Sequence, residues 1–370
     1  MPDTDLVRAF TFANAHERTK AYPAPAAVAP VTWFKRLPGA PLLPLPRKLP
    51  APDSTAQDWL SRVAVLCSYT TGILRRELHA PYVYHRGIAS PRTLHPTELY
   101  IWVPVGANGE PGLYHYLPLQ HALEQVRSAE CDASVRAALG AESAGVDLAV
   151  FVASDFWRVA HLYGDFALRL TALEAGQAVE NLALLGHELG WVSRVQGFFD
   201  EAALGECLGL ELEAEGILAA VCFAASGDRA DHPVTAPVSA PPIAPLRQRW
   251  QHTSGVPLSE SCAQLRAMQR QAAAVKAPAR RHNTESEVAD ALSAVAAPTA
   301  EALPLPAAPP GQRPDLRTLI QRRHSGNEYE GLLGRPDPIS LATMGEILRQ
   351  TPGPWAGSDL AGVIPDPYIV

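Results

Sequence analysis

The stretch YGDFALRLTALEAGQAVENLALLGHELGWVSRVQGFFD, residues 163–200, decides the fold of this chain. Its leucines and alanines recur at steps of three and four residues between Leu170 and Leu189, which places them on one face of an α-helix about five turns long. Gly190 ends this helix, because glycine readily adopts the left-handed conformation of a closing turn. Residues 191–195 then predict a strand. By itself this pattern favours a core element over a cofactor site.

Composition narrows the class of protein. Hydrophobic residues make up 47% of the 370 residues, enough for the cores of two domains, and charged residues only 19%. The net charge of −7 gives no general attraction to nucleic acid or anionic lipid, although one local basic pocket remains compatible with it. Five cysteines without a CxxC pair support neither a disulfide framework nor a zinc site. Without a signal peptide or a long apolar run, we expect a cytoplasmic protein with reduced thiols.

The 35 prolines cluster in three segments, which predicts where the chain wraps or links rather than forms helix or sheet interiors. The predicted division is a Pro-rich leader that wraps over residues 1–57, a folded module over 58–225, an Ala- and Pro-rich linker with one short helix over 226–313, and a further segment over 314–370.

Further elements follow from periodicity and turn residues. Helices are predicted over 58–76 and 259–275, buried strands over 99–103, 147–154 and 215–224, and a short strand over 112–116 that leads through a turn at Pro118 into another helix. His115 and His121 flank that turn. Their spacing is a poor metal-ligand signature, so a structural role is favoured over a metal site.

Two segments carry candidate binding groups. The loop YHRGIASPRTLHPTE, residues 84–98, is stiffened by glycine and proline and enters a buried strand, a position that presents polar backbone groups to a ligand. The segment DLRTLIQRRHSGNEYEG, residues 315–331, places arginines and a hydroxyl after a helix. Planar guanidinium donors with a hydroxyl suit a phosphate, although a basic helix end that complements its own dipole explains the same pattern.

The phrases LEAGQAVENLALLGHELGW (173–191) and GLYHYLPLQHALE (112–124) resemble the SagB-type azoline dehydrogenases of the nitroreductase superfamily, which oxidise peptide thiazolines and oxazolines with FMN. The resemblance implies an α+β fold with a central mixed sheet flanked by helices and a long central helix at an interface. It makes 58–225 a nitroreductase-like module and 314–370 the start of a second, incomplete one. It also implies that the flavin lies between two subunits or two halves.

The resemblance also implies site residues. The family's loop R-x-N-P-S-S-G-N-L-H-P-T-E lies against the flavin ring, and Arg86, Ser90 and His95 match it. Arg92 and Thr93 replace its glycine and asparagine. Two interpretations of Arg92 stay open: its bulk weakens the close contact that glycine allows, or its charge offers a new positive group to the ring or the phosphate. The family's R-R-S-x-R-x-Y motif holds the FMN phosphate. The cofactor-binding residues expected from both motifs are Arg86, Ser90, Arg92, Thr93, His95, Arg322, Arg323, Ser325 and Asn327.

Tyr163 is the expected catalytic residue, because the family places a lysine–tyrosine pair here for proton removal. Leu162 stands in the lysine position and cannot carry a proton, so a core role for Tyr163 stays open.

Two functions compete. The first is an FMN-dependent oxidoreductase of modified-peptide, natural-product biosynthesis that acts on a peptide or small molecule as a homodimer or with a peptide-modifying partner. The second is a catalytically degenerate scaffold or binding subunit of a peptide-modifying complex. Neither involves nucleic acid or a membrane.

Overall fold

The computed structural model describes residues 5, 6, 9, 10, 34–51, 58–78, 83–225, 246, 262–274 and 315–323. The chain divides into two compact units, Met1–Arg280 and Arg281–Val370. None of the helices within the described ranges is long and apolar enough to cross a membrane.

The strands of the first unit are β1 (Leu42–Pro44), β2 (Ile73–Arg76), β3 (Tyr84–Arg86), β4 (Thr97–Val103), β5 (Gly112–Leu117), β6 (Ala122–Ser128), β7 (Leu148–Asp155), β8 (Trp191–Gln196) and β9 (Glu215–Ala225). Its helices are α1 (Trp59–Thr70), α2 (Asp132–Leu139), α3 (Trp157–Tyr163), α4 (Ala167–Glu188), α5 (Glu201–Leu208) and α6 (Ala263–Ala274). In the second unit the described helix is α7 (Leu316–Arg322).

Seven strands form one sheet in the order β1-β6-β5-β4-β7-β9-β8, and β2 and β3 form a separate two-stranded sheet. The predicted α+β class is therefore confirmed. Every described pairing is antiparallel, where a mixed sheet was expected. Short turns join β4 to β5 and β5 to β6, and such connections allow only antiparallel neighbours.

Helices cover both faces of this sheet. Side chains alternate along a strand, so Tyr100 and Trp102 of β4 face the same side, where they share a core with residues of α2 and α5. Helix α4 packs across β4, β7, β8 and β9. Its approach to β9 is close, because a Cβ added at Gly186 would lie 2.8 Å from Cδ1 of Phe223. The long helix is thus central to the fold.

The predicted helix and strand of residues 163–195 are confirmed as α4 and β8, and Gly190 between them has φ of 80°. Two other predictions were wrong. The helix expected over 58–76 ends at Thr70, because the chain turns at Gly72, where a Cβ would lie 2.5 Å from the carbonyl oxygen of Ser68. Residues 73–76 form β2 instead.

The helix expected after Pro118 is strand β6. Its residues pair with β5 on one side and with β1 on the other, and these two ladders supply its backbone partners. The leader residues before β1 are also attached here. The buried Lys35 ammonium donates to the Glu215 carboxylate, and the backbone N–H of Leu37 donates to Glu124 at 3.1 Å.

Candidate functional site

The loop between β3 and β4 has an unusual backbone. Arg92, Thr93 and His95 adopt φ values of 47°, 52° and 50°, a left-handed conformation that residues other than glycine seldom adopt. Such strain persists only where the surroundings over-determine the chain, and it clusters at active sites and ligand-binding turns. The backbone strain therefore indicates that this loop is a candidate ligand-binding site.

Hydrogen bonds inside the loop fix this shape. The hydroxyl of Ser90 accepts from the backbone N–H of His95 at 2.8 Å, and the carbonyl of Ser90 accepts from the N–H of Thr93 at 3.1 Å. The His95 ring bonds through Nε2 to the carbonyl oxygen of Tyr84 at 3.1 Å. Burial lowers the pKa of His95 well below its usual value, and the nearby Arg86 lowers it further, so this ring is neutral.

Helix α4 holds the loop from its buried side. Gln177 accepts from the N–H of Ala89 at 2.9 Å, and Glu174 accepts from the N–H of Thr97 at 3.4 Å. Burial raises the pKa of Glu174, although hydrogen bonds from Ser90 and Thr97 partly oppose this. The carboxyl thus favours its protonated form beneath the loop more than an exposed glutamate does.

A buried chain of charges supports the far end of the loop. Arg158 donates through Nη1 to the carbonyl oxygen of His95 at 2.7 Å and through Nη2 to Glu98 at 2.6 Å, and its Nε lies 3.2 Å from Asp155. His115 continues the chain, with Nε2 3.1 Å from Glu98 and Nδ1 2.8 Å from Glu124.

The charges in this chain set one another's protonation. Burial alone raises the pKa of Glu98, but attraction by Arg158 and a hydrogen bond from His115 outweigh it and hold this pKa at about 2. Burial lowers the pKa of His115, but its hydrogen bonds to the carboxylates on both sides outweigh burial and raise it. The loop therefore ends on a buried, hydrogen-bonded network of acidic and basic side chains.

Arg92 and Tyr163 meet on the outer side of the loop. The exposed Arg92 guanidinium carbon lies 5.9 Å from the centroid of the Tyr163 ring, within cation–π range. The tyrosine is the last residue of α3, and its half-buried ring packs against a small core that includes Phe156, Val159 and Leu265. A cation and a phenol are thus presented together beside a strained turn.

Residues 94–225 match the family model described as the nitroreductase family. They cover the loop's end, the charge chain, α4 and most of the sheet. Within the first unit, the end of the loop and the charge chain therefore lie in the region that matches this family model, and the turn at residues 90–93 comes directly before it.

Comparison with individual proteins agrees on the fold. A curated relative, "Putative nitroreductase MJ1384" of Methanocaldococcus jannaschii, is 24% identical over 126 residues, which span 34% of this chain and 64% of the relative. A solved "putative nitroreductase" from Anabaena variabilis superposes with a TM-score of 0.66 at 20% identity, covering 94% of this chain and 68% of that one. These similarities show the nitroreductase fold.

A chain of the E. coli microcin synthetase McbBCD complex, solved with truncated pro-MccB17 bound, matches with a TM-score of 0.39 at 16% identity. That match covers 61% of this chain and 95% of that one, and its TM-score is too low to support an inference about this chain.

The nitroreductase-like domain brings some of the predicted site residues together. Ser90, Arg92, Thr93 and Tyr163 lie on or beside one turn. Arg86 is buried behind it, and its Nη1 donates to the carbonyl oxygen of Thr97 at 3.2 Å.

His95 is buried as well, so Arg86 and His95 stand where they can shape the turn rather than face a ligand. Arg322 and Arg323 end α7 in the other unit, while Ser325 and Asn327 lie outside the described residues.

Several residues that build the site were not among the predicted site residues. Glu174 and Gln177 stand on the polar face of the long helix, and only the fold shows that this face meets the loop. Arg158 follows a tryptophan at the start of α3 and is fully buried. His115, which shares Glu98 with Arg158, was expected to be structural, and its hydrogen bonds to two carboxylates satisfy both ring nitrogens in a buried position.

Proposed function

We propose that the nitroreductase-like module is an FMN-dependent oxidoreductase of the SagB type, with the turn at residues 90–93 placed against the flavin ring. One observation carries this proposal: an exposed arginine on a left-handed turn stands beside a half-buried tyrosine at the end of α3. The left-handed backbone and its internal hydrogen bonds keep that turn rigid, so little ordering entropy is lost on binding.

The residues at the turn fit a flavin. Arg92 offers a planar cation to the electron-rich edge of the ring or to its phosphate, and Tyr163 offers an aromatic face with a hydroxyl. Ser90, Arg86 and His95 hold the backbone that would bear against the ring. The bound FMN would supply the acceptor for a hydride taken from the substrate.

The chain's own residues bind, orient and move a proton. Arg92 would stabilise negative charge at the bound ring, because its guanidinium is a planar cation with several N–H donors. Tyr163 is the proposed proton carrier at the substrate: its hydroxyl oxygen would take the substrate proton while its own proton passes to solvent water. Leu162 beside it contributes bulk to the small core under α3 but no proton.

The second unit carries the arginines proposed for phosphate binding. Arg322, Arg323, Ser325 and Asn327 are proposed to bind the FMN phosphate, since guanidinium groups with a hydroxyl provide the charge-assisted bonds that a dianion needs. The substrate is proposed to be a peptide, and the proposed partner is a second copy of the chain or a peptide-modifying protein.

Flavin titration of the purified full chain tests this proposal. We expect added FMN to lose fluorescence on binding, and Arg92→Gln to weaken binding by about tenfold, the effect of one charge-assisted contact. The matched control is Arg266→Gln on α6, a partly buried arginine paired with Glu213 at 3.0 Å, which should leave binding unchanged. Absence of FMN uptake by the unmodified chain would reject the flavin proposal.

Leu162 favours a second candidate function, a catalytically degenerate scaffold subunit of a peptide-modifying complex. Leucine at this position removes a proton carrier next to Tyr163. Leu162→Lys restores it, with Leu162→Met as the control that keeps apolar bulk. Oxidation of a thiazoline-containing peptide by the lysine variant, and not by the unmodified chain, would identify the module as a decayed enzyme; equal oxidation by both would favour the active enzyme.

A further inference from the structure

A groove lies beside the two-stranded sheet, away from the residues assigned above. It has a volume of about 440 Å³, within the range of ligand sites. Residues 72–76 line one wall, which means that the whole length of β2 borders it. The turn between β5 and β6 lines the other wall with Pro118 and Leu119, and Arg47 completes it. We name this feature the β2 groove.

The wall formed by β2 is a strand edge. Within the described part of the chain, β2 pairs with β3 alone, so its other edge has no neighbouring strand. An edge strand presents a row of backbone donors and acceptors that another extended chain can pair with. Strand addition of this kind gives affinity through the main chain and specificity through alternate side chains.

The groove is positively charged. Arg47, Arg75 and Arg76 line it, and in the part of the chain that the structure describes Arg75 pairs with the Glu77 carboxylate, 3.3 Å from its Nε. Arg76 is exposed, and its guanidinium carbon lies 5.5 Å from the centroid of the Tyr84 ring, so this cation faces solvent at the groove.

His121 adds no charge to the groove. Its ring nitrogens lie 3.0 Å from the hydroxyl of Tyr116 and 3.1 Å from the carbonyl oxygen of Pro46, and burial lowers its pKa. The excess positive charge therefore belongs to the arginines and stands out in a chain of net charge −7.

We propose that the β2 groove binds an extended acidic peptide segment, which adds a strand along the outer edge of β2 and places its carboxylates against Arg47, Arg75 and Arg76. Apolar side chains of the same segment would alternate towards Ile73 and Leu119, which line the groove between the charges. The proposal goes beyond the flavin function and does not depend on it. β3 leads directly into the loop that carries the turn at residues 90–93. A peptide bound along β2 would therefore lie on the same two-stranded sheet that positions this loop.

Fluorescence anisotropy with the full chain and without flavin tests the proposal. The probe is a labelled peptide of alternating Glu and Val, about ten residues long, the span of a long strand. The first comparison peptide replaces each Glu by Lys. The second keeps the Glu residues but carries N-methyl groups on alternate amides, so it retains the charge and loses strand pairing. Citrate serves as a small polycarboxylate without a peptide backbone.

We expect the acidic peptide to bind, the lysine peptide not to bind, and N-methylation to weaken binding by about tenfold or more. Arg76→Glu should weaken binding by at least about tenfold, because it reverses one charge at the groove. The matched control is Arg270→Glu on α6, another exposed arginine, which should bind as the unmodified chain does.

Three results would overturn the proposal. The first is no binding of the acidic peptide. The second is equal weakening by Arg270→Glu, which would show a non-specific charge effect. The third is full binding of the N-methylated peptide or displacement of the probe by citrate at equal carboxylate concentration, which would make the groove a small-anion site. Flavin uptake is measured separately, so failure here leaves the proposed oxidoreductase function untouched.

Discussion

At the scale of single residues, the buried charge chain decides how firmly the loop is held. Glu98 accepts from Arg158 and bonds His115, and all three side chains are buried. We expect Glu98→Gln to lower the free energy of unfolding by about 3 kcal/mol at neutral pH, because it leaves two buried cations short of a partner. Urea unfolding measures this. The exposed Glu213→Gln should cost no more than about 1 kcal/mol.

The pH dependence of this effect has a definite sign. The pKa of Glu98 falls from an unfolded value of 4.5 to about 2 in the folded chain. Its contribution is therefore fully present above about pH 4.5 and is lost as the pH falls towards 2. The stability gap between the unmodified chain and Glu98→Gln should close over that interval. A gap that stays constant from neutral pH down to 3 would contradict the role assigned to this carboxylate.

Residue types near the flavin turn could be predicted from the sequence, but their geometry could not. The loop's glycine and prolines predict a rigid turn, and Arg92 and Tyr163 stand out by chemistry. Their meeting depends on two segments about 70 residues apart, and no local pattern encodes that distance. His95 likewise has a left-handed backbone and a buried ring, and the residue types next to it in the sequence do not predict that conformation.

At the scale of elements, two glycines of α4 provide a matched pair. Gly186 faces β9, where an added methyl group would overlap the Phe223 ring, whereas Gly176 is exposed and has nothing within 4 Å. We expect Gly186→Ala to lower the free energy of unfolding by about 1–3 kcal/mol through overpacking. Gly176→Ala should raise it by up to about 1 kcal/mol, since alanine favours the helix.

Urea unfolding of both variants checks this, at a protein concentration where sedimentation shows a monomer. Equal effects of the two substitutions would mean that α4 does not pack on β9 as described.

The same helix shows what periodicity can predict. Its apolar spacing gave its length, because packing and local pattern agree there.

The predictions from periodicity were wrong where pairing with strands that are distant in sequence determines the structure. Residues 73–76 continue an apolar helix pattern, yet Gly72 turns the chain and β3 captures them as a strand. Residues 122–128 have helix-compatible composition, yet the ladders from β5 and β1 make them a strand. Tertiary pairing outweighs a weak local preference in both cases.

At the scale of the whole molecule, the outer face of α4 carries an unusual apolar surface. Leu173 and Leu184 are 59% and 42% exposed, three turns apart on one side of the helix, with the small Gly176 between them. Exposed leucines alone need no explanation, but a stripe of them around a glycine allows a second helix to approach closely. We expect this face to join two copies of the chain, in line with the proposed homodimer.

Leu173→Glu tests that association, because a charge at the centre of an apolar interface opposes its burial. Sedimentation velocity should show a dimer for the unmodified chain and a monomer for the variant, with unchanged circular dichroism. Val105→Glu is the matched control, a 53% exposed apolar residue on the loop after β4, and it should remain dimeric.

FMN titration of the same samples adds a second result. If the flavin lies between copies, the monomeric variant loses FMN affinity as well; if FMN binding survives, one copy is sufficient to hold it. If the unmodified chain sediments as a monomer at all concentrations, the proposed homodimer is wrong.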